Sequence, residues 1–159
     1  MSTVTIRSAI ALEQHELEAL QRRASMANPG DREAVLAHPA AIELPLEQIL
    51  AGDVFVLESD GVVAGFAAVL PRADGNAELD GLFVEPHQQR RGFGRSLVDY
   101  VAQVARARGS LALHVIGNPH AREFYLSCGF ALVGITETRF GPGLLMRREL
   151  KPPPRSPHP

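Results

Sequence analysis

At 159 residues, 45% of them hydrophobic, the chain is long enough for one domain with a proper core. A formal net charge of −2 gives no global attraction for nucleic acid, and a single cysteine, Cys128, excludes an internal disulfide or a multi-cysteine metal site. The six histidines have no ligand spacing, so no metal is expected; no run is long and apolar enough for a membrane, and "MSTVTIRSAI" lacks the regions of a signal peptide, so a cytoplasmic location is expected.

The alternating "VTIRSAI" (4–10) reads as the first strand. From 11 to 26, Leu17, Leu20 and Ala24 recur at helical spacing, and "NPG" (28–30) stops that helix. Residues 31–52 read as a second helix broken at Pro39 and Pro45, since proline removes a donor and clashes with the preceding turn. "DVFVLES", "DG" and "VVAGFAAVL" spell a hairpin, because Asp-Gly suits the positive φ of a tight turn. A second turn, "ADGN" (73–76), leads into "AELDGLFVEP", where Gly81 marks a bulge or a close backbone approach.

A helix from about Gly92 to Arg108 follows, with Phe93, Leu97, Val101, Val104 and Ala105 as its apolar stripe and Gly109 at the position of a left-handed cap. "LALHVIG" (111–117) is the next strand. A helix between two strands implies a right-handed crossover and a parallel pair. In "NPHAREFYLSCGF", Asn118 reads as an N-cap, Pro119 as the first helical residue and Gly129 as the stop. "ALVGITETRF" and "LLMRREL" close the chain as a hairpin. The domain is expected to span 1–150, and the proline-rich "KPPPRSPHP" (151–159) to be a disordered tail.

The stretch "QQRRGFGRSL" (88–97) sits between a strand and a helix and has the chemistry of an anion site. First-turn N–H groups lack intrahelical partners, glycines let a phosphate approach, and Arg90, Arg91 and Arg95 add positive charge. It is not a P-loop, which needs a lysine, and Lys151 is the only lysine. It is not a Rossmann fingerprint either, because Leu97 stands at the third glycine and no acid occurs between Asp99 and Glu123.

Gln89-Arg90-Arg91-Gly92-Phe93-Gly94 together with Asn118-Pro119-His120-Ala121-Arg122-Glu123-Phe124-Tyr125 through Gly129-Phe130 resembles the GNAT N-acetyltransferase superfamily. The element order from 4 to about 150 fits as well. The resemblance implies an α/β (α+β) fold with a mixed, mostly antiparallel seven-stranded sheet, a splayed parallel pair and about four helices. It implies acetyl-CoA as co-substrate and a primary amine of a small molecule, peptide or protein as acceptor. Nucleic acid and membrane are not expected partners; the family often dimerises, which leaves a homodimer open.

By the same resemblance, Gln89, Arg90, Arg91, Gly92, Phe93, Gly94, Arg95 and Ser96 would hold the pyrophosphate, and Leu82, Phe83 and Val84 would pair with the pantetheine arm. Asn118 would contact the cofactor near the splay, or serve only as an N-cap. Residues 22–50 would line the acceptor side. A lysine-like amine is neutral in only about 1 part in 2,500 at pH 7, a cost of roughly 4.6 kcal/mol, so a base helps. Glu78 is the first candidate and Asp80 the second; both also read as solvated strand residues. Tyr125 matches the family's proton donor to the leaving thiolate, and also reads as a core aromatic. A non-catalytic acyl-CoA-binding or sensing module is the alternative function.

Overall fold

The computed structural model describes residues 3–152, and among them seven strands form one mixed sheet in the order β1-β2-β3-β4-β5-β7-β6. These are β1 (Val4–Ser8), β2 (Val54–Ser59), β3 (Val62–Pro71), β4 (Ala77–Val84), β5 (Ala112–Gly117), β6 (Ala131–Thr138) and β7 (Gly141–Glu149). Neighbours run antiparallel except β4 and β5, which are parallel. The β2–β3 turn has positive φ at both Asp60 (53°) and Gly61 (80°), the geometry that Asp-Gly favours.

Among the described residues five helices flank the sheet: α1 (Gln14–Ala27), α2 (Pro29–Ala37), α3 (Leu46–Leu50), α4 (Phe93–Ala107) and α5 (Arg122–Ser127). The count exceeds the expected four because the prolines divide 29–50 into two helices and a 3₁₀ turn at Pro39–Ala41. "NPG" does not lead into a loop. Asn28 ends α1, its Oδ1 accepts from Gly30 N at 3.2 Å, and Pro29 opens α2 at the first helical position. Likewise "NPH" begins with a 3₁₀ turn, Pro119–Ala121, so α5 starts only at Arg122.

Both later helices end as their glycines predict. Gly109 N donates to Arg106 O and Ser110 N to Ala105 O; Gly129 N donates to Leu126 O and Phe130 N to Tyr125 O. Each is a Schellman arrangement that satisfies two terminal carbonyls. The expected tail lies outside the described residues beyond Pro152, although Arg106 holds the Lys151 and Pro152 carbonyls.

Apolar side chains fill both faces of the sheet. One cluster joins α4 and α5 to Leu57, Val69, Leu79, Leu113 and Met146; the other joins α1 and α3 to Val54, Val56, Phe66 and Ala68. Leu97 of α4 is fully buried in the first. Leu97→Ala is expected to cost about 2–5 kcal/mol, lost transfer energy plus a cavity, measured as a lower denaturation midpoint with unchanged slope.

Candidate active site

The site grows from a defect in strand pairing. β4 and β5 share only three register pairs, Ala77–Leu113, Glu78–His114 and Leu79–Val115. Beyond Leu79 and Val115, β4 continues along β3 to Val84 and β5 continues along β7 to Gly117, so their facing edges diverge without partners. A bulge drives the departure: Leu79 pairs with Val69 but Gly81 with Ala68, which leaves Asp80 as the extra residue. Leu79 faces the α4 cluster; after the extra residue Leu82 and Val84 do so, while Phe83 packs on Phe66 across the sheet.

The opening continues into a cleft of about 640 Å³. Its walls are β4 from Leu79 to Phe83, the end of β5 with Asn118 and Tyr125, helices α1 and α2, and the β6–β7 turn. Of the stretch 22–50 that the resemblance implied for the acceptor side, residues between Ser25 and Ile42 line the cleft, together with Gln21, and 43–50 do not.

At the loop, Arg90 (φ 66°) and Gly92 (φ 81°) both take left-handed backbone, and Gly92 is the N-cap of α4. Ser96 N and Oγ both bond Gly92 O, at 3.0 and 3.1 Å. No side chain caps the helix and no acid lies in its first turn. The N–H groups of Phe93, Gly94 and Arg95 are thus the free donors at a pole worth roughly half a positive charge. Arg91 bonds Gln88 Oε1 at 2.6 Å and lies 5.0 Å from the Phe93 ring centroid, and Arg95 bonds the Ser127 carbonyl. Arg90 and Gln89 are exposed. Phe93 is a core residue, so only its backbone faces outward.

Tyr125 lines the cleft at 9% exposure, edge-on to Phe124 and Phe130. Gly117 makes room for its ring: a Cβ there would sit 3.2 Å from two ring carbons. Burial above all, then Cys128 and Asp31, pushes the phenol's pKa well above its usual value. It stays protonated at any working pH.

The two strand carboxylates part company. Asp80 lines the cleft and accepts from Gln48 Nε2 at 3.3 Å. Glu78 lies below the opening, beside Arg72 at 3.8 Å and next to His114 in the register. Burial first, then Asp80, raises the Glu78 pKa against the pull of Arg72. His114 is pushed the other way, chiefly by burial and then by Arg72 and Arg147, and its Nε2 is buried without a partner. Asn118 uses both ends of its amide: Oδ1 accepts from His120 N at 3.1 Å, and Nδ2 donates to Asp31 across the cleft.

Two residues carried no signal in the sequence pattern. Asp31, at the start of α2, also accepts from Asn28 Nδ2 at 2.9 Å, and burial raises its pKa. Glu85, 7% exposed, is held by Arg23 through Nε (3.1 and 3.3 Å) and Nη2, which ties α1 to the root of the glycine-rich loop. Among the described residues no group of three or more His, Cys, Asp or Glu could hold a metal, and no helix is long and apolar enough to cross a membrane.

A parted parallel pair with an uncapped helix start at one end is an arrangement shared with solved acetyltransferases of the same fold. PaiA N-acetyltransferase of Thermoplasma acidophilum, solved with coenzyme A, superposes with TM-score 0.73 at 18% identity over 92% of this chain and 99% of its own. A GCN5-related N-acetyltransferase of Rhodopseudomonas palustris gives TM-score 0.75 at 25% identity over 94% and 98%. YncA of Salmonella typhimurium, solved with acetyl-CoA, gives 0.68 at 23% over 98% and 98%. No curated protein matches the sequence. The profile of the acetyltransferase (GNAT) family matches residues 17–130, and the chain belongs to that family.

Proposed function

We propose that the protein transfers the acetyl group of acetyl-CoA to a primary amine. The observation that carries this is the slot between β4 and β5, open after Leu79 and Val115, with the free N–H groups of α4 at its end and Tyr125 within it. Acetyl-CoA supplies an activated thioester. The backbone N–H groups of Phe93, Gly94 and Arg95, with the dipole of α4, serve the diphosphate; Gly92 and Ser96 shape the turn, and Gln89, Arg90, Arg91 and Arg95 surround it. The unpaired edge of Leu82, Phe83 and Val84 takes the pantetheine arm as an added half-strand, and a backbone N–H near Leu82 or Phe83 serves the oxyanion. Asn118 stands beside the acyl position. Asp80, in the cleft, takes the amine's proton directly or through water, with Glu78 behind it. Tyr125 gives a proton to the departing thiolate.

Acetyl-CoA at 100 times its Kd is expected to stabilise the fold by about 2.7 kcal/mol, which raises Tm by several degrees; acetate is expected to leave Tm unchanged. Gly92→Val is expected to abolish the shift. A Cβ at Gly92 meets no protein atom; instead it intrudes on the anion, and a β-branched residue at φ 81° strains the loop by about 1–3 kcal/mol. No shift at millimolar acetyl-CoA contradicts the proposal.

A further inference from the structure

The acceptor side of the cleft has a definite chemistry. Among the described residues its titratable lining groups are Asp31, Asp80, Tyr125 and two imidazoles, His38, packed on the Phe140 ring, and His120, whose charge when protonated bears on Asp31; no lysine or arginine lines the cleft. Neither carboxylate has an ion-pair partner among the described residues, whereas Asp53, Asp99, Glu13 and Glu85 each hold a guanidinium. Of the guanidiniums on the surrounding elements, Arg22 bonds Pro39 O, Arg23 bonds Glu85 and Arg139 lies over the Phe140 ring, while Arg32 and Arg122 are exposed and outside the lining.

A carboxylate offers about four lone-pair sites. Asn28 and Asn118 occupy one on each Asp31 oxygen, which leaves acceptor capacity with no donor. Facing it is Tyr125, nine-tenths buried, lining the same cleft and close enough for Asp31 to raise its pKa. The same cleft also has apolar lining from Val35, Ile42, Pro142 and Phe140, the last packed on His38 with ring centroids 5.6 Å apart. The cleft of about 640 Å³ also includes the slot along Leu82 and Phe83 proposed for the pantetheine arm, so the acceptor side is only part of that volume, which suits a small molecule.

Building on the acetyltransferase reading above, we infer that the acceptor is a small cationic amine with an apolar body and no carboxylate or phosphate of its own, its ammonium received by Asp31. An anionic group beside the amine would meet two carboxylates, the half-buried Asp31 and the exposed Asp80, with no guanidinium in the lining, and like charges brought together oppose binding.

Matched acceptors test this. Coenzyme A release is followed at pH 8 with phenethylamine, with phenylalanine, which differs by one carboxylate, and with a neutral-sided hexapeptide bearing a free N-terminus. Phenethylamine is expected to exceed phenylalanine in kcat/KM by roughly tenfold or more. Asp31→Asn, nearly the same shape without the charge, is expected to raise KM for phenethylamine and shrink that preference to within about threefold. The acetyl-CoA thermal shift of the variant shows that it is folded. Equal or faster turnover of phenylalanine overturns the inference. So does preference for the peptide, or an unchanged preference in Asp31→Asn. No turnover of any of the three by protein that binds acetyl-CoA overturns it too, and leaves the cofactor reading standing. Failure to bind acetyl-CoA at all overturns the acetyltransferase proposal instead.

Discussion

Tyr125→Phe is expected to lower kcat by roughly 10²-fold while acetyl-CoA binding stays nearly unchanged. The substitution keeps the ring against Phe124, Phe130 and the gap left by Gly117, and removes only the hydroxyl. Because burial holds the phenol's pKa above its usual value, the wild-type rate should show no loss from Tyr125 ionisation up to pH 9.5. Single-turnover measurement isolates the chemical step, since product release can otherwise hide it. If kcat and binding both stay within about threefold, Tyr125 is a core aromatic and the thiolate takes its proton from water.

The second large effect separates the two carboxylates. Asp80→Asn is expected to slow transfer by about 10²-fold near pH 6.5, a general-base effect, and the defect should shrink toward pH 9.5 as free amine becomes abundant. Glu78→Gln should do much less to the rate, because Glu78 stands below the opening of the slot. Its effect lies in stability. Glu78 has a folded pKa raised by burial and by Asp80, so the native state binds its proton more readily than the unfolded chain does. The carboxyl therefore favours folding below its unfolded pKa, near the ordinary 4.5, and loses that contribution as pH rises through the raised folded value. Glu78→Gln should leave the protein as stable or more stable at neutral pH, with the advantage disappearing below about pH 4.5. A pH-independent defect in Asp80→Asn, paired with a pH-dependent one in Glu78→Gln, would move the base to Glu78.

What the sequence could reveal depended on whether a feature was local. Asp60-Gly61, Gly109 and Gly129 each need left-handed backbone at a fixed offset from a strand or helix, so their neighbours along the chain were enough to place them. Gly81 signalled an irregularity in β4, but not that Asp80 would be the extra residue, because that depends on which residues of β3 stand opposite. This register also separates Glu78 from Asp80, which simple alternation puts on one face, and it is the ground on which Asp80 is proposed ahead of Glu78 as the base. The bonds from Asn118 to Asp31 and from Arg23 to Glu85 join residues 87 and 62 positions apart. They arise when α1 and α2 pack onto the sheet, and patterns of period 2 or 3.6 carry no record of them. Pro39 and Pro45 announced the break in the second helix; that Asn28-Pro29 would start a helix as well as stop one was equally local, since both residues favour the first turn.

The most direct test of the acetyl-transfer account is a single-turnover reaction of acetyl-labelled coenzyme A thioester with excess protein, with and without a pooled panel of small amines, amino acids and peptides with free N-termini as the amine. The account predicts thiol release that is fast with the amine and slow without it, matched mole for mole by acetylated amine. Tight binding of the thioester with the same slow release in both arms would contradict acetyl transfer to an amine and leave a protein that binds acetyl-CoA without passing its acetyl group on.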